Sequence, residues 1–254
     1  SIAIAPGVSF KISDKISVGV SAGYSQSFLH VVTGVPIGTS TQNASGTDAK
    51  VIMDYKSSGW GFGAGIYFKP IDKLSIGLGY ISQTNTKSYS GTVKTENIPG
   101  SLKDSVPAGK ASTKSSVPQG ISLGLGYKIT DKLTVLADFN YGFWKCFDST
   151  VFIFADHSTA NKQPIRIPNK YQNSMSYRLG IQYKVSDNFV ARVGGGYDQT
   201  PIPKDYVYAE LPDANRINVT AGASYIINKK FSIDASYRFI DVMKRGSRNV
   251  YANM

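Results

Sequence analysis

Residues 59–80 read GWGFGAGIYFKPIDKLSIGLGY, and glycine falls on alternate positions in both halves of this stretch. Four glycines alternate from Gly59 to Gly65, two more follow at Gly77 and Gly79, and apolar side chains occupy the positions between them. A dinucleotide-binding loop would instead place its glycines between a strand and the start of a helix. A period of two is strand geometry, which sends alternate side chains to opposite faces. The stretch therefore predicts two strands with a bulky apolar face and an almost bare face.

The composition excludes several classes of protein. The 254 residues include 28 Lys and Arg against 17 Asp and Glu, a formal net charge of +11. The basic residues are dispersed over turns and polar loops rather than gathered in one run, so we expect no nucleic-acid partner. The single cysteine, Cys146, excludes an intramolecular disulfide and a CxxC metal site. No apolar run reaches the roughly 18 residues of a transmembrane helix.

One sequence pattern recurs five times along the chain. An aromatic residue is followed, six positions later and across a short polar turn, by an apolar residue, which is the pattern of a β-hairpin. The five pairs are Phe10 and Ile16, Phe68 and Leu74, Tyr127 and Leu133, Tyr183 and Phe189, and Tyr225 and Phe231. Five hairpins predict about ten strands.

The connections between these hairpins are long and rich in Ser, Thr, Asn, Pro and Lys. They run approximately over residues 28–54, 87–117, 146–172, 200–213 and from 243 onward. Short turns at one end of a sheet and long loops at the other are typical of bacterial outer-membrane barrels.

The two faces of the predicted strands favour the same fold. A water-soluble sandwich would also alternate, with its apolar face turned inward. Here, however, aromatic residues cluster at strand ends, as in interfacial girdles, and the opposite face is small and polar with few charges. The sequence predicts an all-β protein, a transmembrane antiparallel up-and-down β-barrel integral to the bacterial outer membrane.

Two stretches resemble the outer-membrane long-chain fatty-acid and hydrocarbon transporters (FadL/TodX-like proteins). Residues 57–80 are similar to a tryptophan–glycine strand, turn and return strand of that family. Residues 198–225 are similar to its Pro-x-Pro loop followed by Pro-Asp and Arg. The matching residues are Pro201, Pro203, Leu211, Pro212, Asp213 and Arg216.

The resemblance implies a 14-stranded barrel plugged by an N-terminal hatch, of which this chain holds about ten strands. We expect residues 1–254 to be a single β-barrel domain without the hatch, the first strands and the last strand. The implied function is passive uptake of hydrophobic compounds, either long-chain fatty acids or aromatic or aliphatic hydrocarbons. Such transport needs no catalytic residue, cofactor or metal, so we do not expect an enzyme. A general diffusion porin and an adhesive or structural barrel remain alternatives.

Two sets of candidate site residues follow. The first is an apolar set in the first two long loops, which suggests either a ligand groove or a small local core. It comprises Phe28, Leu29, Val31, Val32, Val35, Ile37, Ile98, Leu102 and Val106. The second set is predicted to face the lumen, its arginines either binding ligand or pairing with the aspartates. It comprises Gly63, Gly77, Asp138, Arg178, Arg192, Asp198, Asp234 and Arg238.

Other positions have simpler interpretations. Where fatty-acid-transporting members of the family carry Arg after the tyrosine of the GLGY-like strand, this chain has Ile81, which leaves a neutral hydrocarbon open as the ligand. Trp144 and Phe147 suit an aromatic girdle, Asp213 and Arg216 suit an ion pair that anchors a loop, and loop lysines could meet lipopolysaccharide phosphates. The expected partners are a hydrophobic small molecule, outer-membrane lipid and lipopolysaccharide, and the expected state is monomeric.

Overall fold

A computed structural model describes residues 1–35, 48–86, 89–113, 116–155, 164–208 and 212–246. Its strands all belong to one antiparallel sheet. They are β1 (Ile2–Ile4), β2 (Gly7–Lys11), β3 (Ile16–Gly34), β4 (Lys50–Ile71), β5 (Leu74–Ile81), β6 (Thr84–Thr86), β7 (Tyr89–Glu96), β8 (Gly109–Thr113), β9 (Ser116–Val117), β10 (Gly120–Lys128), β11 (Leu133–Gly142), β12 (Ser149–Phe154), β13 (Ile165–Pro168), β14 (Ser174–Lys184), β15 (Phe189–Asp198), β16 (Arg216–Ile226) and β17 (Ser232–Val242). Among the described residues, no helix is long and apolar enough to cross a membrane.

Ten of these strands form a continuous meander, in which each strand pairs with the next one in space. The order is β2, β3, β4, β5, β10, β11, β14, β15, β16 and β17. This confirms the predicted all-β antiparallel fold. The sheet is not closed: within the described residues, β17 does not pair with β1 or β2.

The recurring hairpin motif is explained by hydrogen bonds at the short turns. A polar side chain early in the turn accepts hydrogen bonds from the backbone of the next strand's first residues. Ser13 accepts from Ile16 N at 3.2 Å, and Asn228 accepts from Phe231 N at 3.1 Å. Such local side-chain acceptors satisfy backbone donors that the tight turn leaves unpaired.

Lysine–aspartate pairs reinforce three of these turns. Lys69 Nζ lies 2.8 Å from Asp72 Oδ1, and equivalent pairs join Lys11 to Asp14 and Lys184 to Asp187. The hydrogen bond from Lys69 holds the pKa of Asp72 below its ordinary value. The charges of these three lysines are therefore locally offset.

The two faces of the sheet differ in side-chain size and polarity. The outer face, defined here by Val20, Trp60 and Leu179, exposes bulky apolar groups; Trp60 is 61% and Leu179 67% exposed. The inner face, defined by Ser21, Gly63 and the other residues that share their side of the sheet, is mostly glycine, serine and polar side chains. An apolar face of this extent suits contact with lipid rather than with water.

The predicted boundaries of the long loops were wrong. Strand β3 continues to Gly34 and β4 begins at Lys50, and the two pair without interruption from Ile16 opposite Phe68 to Gly34 opposite Lys50. Strands β7, β8, β12 and β13 likewise lie within segments predicted as loops. We call these four strands, together with residues 28–34 and 50–56, the distal extension; it lies at the end of the sheet opposite the short turns.

The distal extension contains the buried apolar core. Tyr55, Val93, Ala111 and Phe154 are buried there, and Tyr55 is only 2% exposed. The strands approach closely at Gly91, where a Cβ atom would collide with the backbone carbonyl of Asp54. A lipid-facing sheet has no apolar interior of its own, so the core forms where the sheet extends beyond the lipid-facing region.

Candidate functional site: the inner face and its rim pocket

One half of the inner face carries mostly glycine and serine, with Tyr67 and Ile81 as its larger side chains. Glycine and serine from β2, β3, β4, β5 and β10 line a concave cavity of about 730 Å³. A Cβ atom on Gly77 would meet no other atom within 4 Å, whereas one on Gly63 would lie 2.6 Å from Ser21 Oγ. The alternating glycines therefore keep this half of the wall open. Ile81, 59% exposed, borders the same cavity.

The other half of the inner face carries charged side chains. On β14–β17, Arg178 Nη2 donates to Asp198 Oδ1 at 2.9 Å, and Asn218 Nδ2 donates to Asp198 Oδ2 at 3.1 Å. Arg238 lies 3.7 Å from the same carboxylate. Asp198 is 18% exposed at its side chain, which makes it the least exposed of the three charged side chains in the group.

A second charged group lies nearer the short turns. Arg192 Nε donates to Gln182 Oε1 at 2.9 Å, and its guanidinium also contacts the Ser224 hydroxyl. Asp234 lies 3.9 Å from Arg192 and accepts a hydrogen bond from Ser224. The structure thus places the three predicted lumen arginines next to Asp198 and Asp234. Asp138 faces the same side but has no ion pair among the described residues.

Above the Asp198 group, at the end of the strands away from the short turns, lies a cavity of about 700 Å³ that we call the rim pocket. Its apolar wall is an aromatic cluster: the Tyr171 ring centroid is 6.1 Å from that of Trp144 and 4.9 Å from that of Phe147. Arg178, Asp198 and Arg238 also line it. The pocket therefore joins an aromatic surface to a hydrogen-bonded charged floor.

The opposite wall of the rim pocket is a loop held by polar contacts. Asp213 pairs with Arg216 and accepts a hydrogen bond from the Thr200 hydroxyl. Arg245 Nη1 donates to Ile202 O at 3.0 Å and to Asp213 O at 3.1 Å. Sequence reasoning found Asp213 and Arg216 but missed Arg245, because nothing in its local sequence distinguishes it from a surface cation.

The predicted loop groove is divided by the structure. Phe28, Leu29, Val31 and Val32 lie in strand β3 rather than in a loop, because the extended β3–β4 ladder includes them. Strand alternation places Phe28 and Val32 on the outer face and the other two on the inner face. Val35 follows β3 directly, and Ile37 lies outside the described residues.

The second part of the predicted groove belongs to the β7–β8 connection. Ile98 is buried, and Leu102 and Val106 are half-buried around a 3₁₀ turn over Gly100–Ser105. Of the two interpretations left open, this burial favours a small local core over an exposed ligand groove for these three residues.

The sequence profile of one family, described as outer membrane protein transport protein (OMPP1/FadL/TodX), matches residues 1–250. The chain belongs to this family of outer-membrane transport proteins. The match confirms the resemblance inferred from the glycine and Pro-Asp motifs, and it confirms the outer-membrane location.

Three OMPP1/FadL/TodX proteins illustrate the relationship. A long-chain fatty acid transport protein of Escherichia coli O6:H1 is 25% identical over 223 residues, which cover 82% of this chain and 48% of the relative. A Pseudomonas aeruginosa FadL homologue superposes with a TM-score of 0.78 at 22% identity, covering 95% of this chain and 59% of that one. The P. putida toluene transporter TodX superposes with a TM-score of 0.68 at 19% identity, covering 92% and 61%. The chain spans about half the length of the curated relatives it matches.

Proposed function

We propose that this chain is part of an outer-membrane transporter for the passive uptake of hydrophobic compounds, either long-chain fatty acids or aromatic or aliphatic hydrocarbons. The observation that carries the proposal is that the inner face has an aromatic rim pocket above β14–β17 and, on β2–β5 and β10, a wall of mostly small side chains. An apolar molecule would be captured against Trp144, Phe147 and Tyr171 and would then move along a wall that offers few side chains to obstruct it.

The charges of the inner face bear on the substrate class. Asp198 sits between Arg178 and Arg238, and Asp213 neutralises Arg216. Two carboxylates therefore offset two of the three guanidinium charges that line the rim pocket. The resemblance implies an Arg in fatty-acid-transporting members where this chain has Ile81, and an apolar side chain there favours a neutral hydrocarbon over a carboxylate.

The candidate site residues have separate roles in this proposal. Gly63 and Gly77 leave space in the wall, Arg178, Arg192 and Arg238 hold the aspartates, and the inward-facing part of the predicted loop groove extends the path upward. The continuous sheet supports one barrel domain over residues 1–254, and we propose that it functions as a monomer.

The test is uptake by cells that contain or lack the full-length protein. Toluene, oleate and a small polar solute would be compared as radiolabelled substrates. We expect faster entry of an apolar compound with no change for the polar solute, and the toluene and oleate arms identify the substrate class. Faster entry of the polar solute alone would refute the proposal and indicate a diffusion porin.

A further inference from the structure

The outer face of the distal extension carries basic side chains that have no carboxylate partner among the described residues. Alternation from Trp60 back along β4 places Lys56 on the outer face. Residues 52 and 54 of β4 point to the same face as Lys56. Lys94 shares this face because it lies directly opposite Ile52. Lys110 shares it because it lies opposite Thr92, which lies opposite Asp54. Arg166, opposite Val151 on β12, extends the group. We call these four side chains the outer basic face.

The lysines of the outer basic face differ in their partners from three of the lysines at the short turns. Lys11, Lys69 and Lys184 each lie within 2.8 Å of an aspartate. Within the described residues, no carboxylate lies within 4 Å of any member of the outer basic face.

Two acids share the face with these four cations, so its positive charge is only partly offset. Asp54 Oδ1 lies 2.6 Å from His30 Nδ1, and Glu96 lies opposite Lys50 in the strand register. Lys56 Nζ is 5.8 Å from the centre of the Phe28 ring. The outer basic face therefore keeps an excess of positive charge.

The outer basic face lies just beyond an aromatic pair on the same face of the sheet. The tilted rings of Tyr24 and Trp60, with centroids 5.2 Å apart, mark an aromatic pair on the same face. Lys56 lies four residues beyond Trp60, about 13 Å along the strand. Exposed apolar side chains stand among the cations, including Phe28 and Ile153. Apolar and cationic groups mixed just beyond an aromatic girdle fit a phosphorylated amphiphile.

We propose that the outer basic face binds the phosphorylated headgroup of lipopolysaccharide in the outer leaflet. Lys56, Lys94 and Lys110 contact the phosphates, while Phe28 and Ile153 contact the apolar part next to the headgroup. This inference depends on the outer-membrane location and not on the proposed transport function. A basic group near an anionic lipid surface strengthens binding about fivefold, so losing three lysines weakens it on the order of 100-fold.

The test compares two triple variants of the full chain in detergent micelles. The first, Lys56→Gln with Lys94→Gln and Lys110→Gln, removes three charges from the outer basic face. The matched control, Lys15→Gln with Lys73→Gln and Lys132→Gln, removes the same charge at the short turns. Titration with diphosphorylated lipid A should give a Kd about 100-fold higher for the first variant and nearly unchanged for the control.

Three further measurements make the result decisive. Dephosphorylated lipid A should bind the unmodified protein weakly, and millimolar inorganic phosphate should fail to displace diphosphorylated lipid A if the whole headgroup is recognised. A triple Lys→Arg variant at the first three positions should retain binding, which separates lost charge from lost folding. Equal affinities for the two glutamine variants, or tight binding of dephosphorylated lipid A, would overturn the proposal.

Discussion

At the scale of single residues, Asp198 organises the charged half of the inner face. Its carboxylate contacts Arg178, Asn218 and Arg238, which come from three different strands. The register aligns these side chains because Asp198 lies opposite Arg216 and Arg178 lies opposite Gly196, which gives the guanidinium room to reach across. This carboxylate therefore links strands β14, β15, β16 and β17.

Replacing Asp198 by Asn tests this role. We expect Asp198→Asn to lower the free energy of unfolding by about 1 kcal/mol, since it removes charge-assisted hydrogen bonds that are partly exposed. Urea unfolding of the folded barrel in detergent would measure the change. Asp234→Asn is the matched control: Asp234 is more exposed and lies 3.9 Å from Arg192, so its loss should cost less. A larger effect at Asp234 would contradict this account.

Gly77 tests the open half of the wall. Because a Cβ at this position meets no atom within 4 Å, Gly77→Leu should fold normally and project its side chain into the cavity. We expect a several-fold fall in uptake of the apolar substrate with unchanged amounts of folded protein in the membrane. Gly77→Ala is the control and should transport normally. Loss of folded protein without a separate transport defect would show that the glycine serves assembly instead.

Residue-scale prediction from the sequence was uneven. Strand alternation, which can be read from the sequence, predicts that Arg178, Arg192 and Arg238 point to the inner face. The aspartate that each arginine contacts depends on the inter-strand register and on the length of the side chain, which the sequence does not show. For this reason Asp138 was predicted as a partner, although it has no ion pair among the described residues. Arg245 was missed because its contacts come from residues about 30 to 40 positions away.

At the scale of elements, the distal extension is where sequence reasoning failed. Its strands contain Ser, Thr, Lys and Gly in proportions typical of loops, and its turns are not marked by the hairpin motif that recurs at the other end. The strands form because Tyr55, Val93, Ala111 and Phe154 converge across four strands, a non-local packing that no local pattern reveals.

Tyr55 offers a test of this core. Its hydroxyl is buried without a hydrogen-bond partner among the described residues, so Tyr55→Phe should stabilise the extension by about 1 kcal/mol. Tyr55→Ala should instead cost about 3–5 kcal/mol through the cavity it leaves. Hydrogen exchange of the β7 and β8 amides would report both changes. Faster exchange in the Phe variant would mean that the hydroxyl has a partner after all.

The same tyrosine gives a pH dependence. Burial raises the pKa of Tyr55 above its ordinary value of 10.0. The Tyr55 hydroxyl therefore ionises at lower pH when the extension is open than when it is packed. The extension keeps its full stability below pH 10 and loses stability as the pH rises toward the folded-state pKa of Tyr55. We expect the protection factors of the β7 and β8 amides, which correct for base catalysis of exchange itself, to fall above pH 10 in the unmodified protein and to fall less in Tyr55→Phe.

At the scale of the whole molecule, alternation alone determined most of the fold. A period of two with an uncharged bulky face specifies strands, and the recurring turns specify an antiparallel meander. The same pattern would also suit a water-soluble sandwich, and only the asymmetry of turns and loops with the aromatic strand ends pointed to a membrane. The rim pocket could not be predicted in the same way, since its walls come from segments that are distant along the chain.

The lipid-facing surface is tested by neighbouring substitutions on opposite faces of β14. Leu179→Arg should cost about 2–4 kcal/mol, because it places a cation in the apolar band. Gly180→Arg faces inward, where the nearest atoms to a Cβ lie at 3.7 Å or beyond, and should cost much less. Unfolding in phospholipid vesicles would compare the two. Equal costs would contradict the assignment of the faces.

The length of β4 has a practical consequence. Its 22 residues span about 70 Å along the strand, or about 50 Å in height at a tilt near 45°, whereas the apolar band of an outer-membrane barrel is about 25 Å tall. Roughly half of the β3–β4 hairpin therefore extends above the lipid. The two strands remain paired to the far end of the hairpin, where Val35 N donates a hydrogen bond to Ala49 O at 2.8 Å. A peptide tag inserted between residues 35 and 49 would be presented at the cell surface on a stiff stalk, which suits this hairpin to surface display.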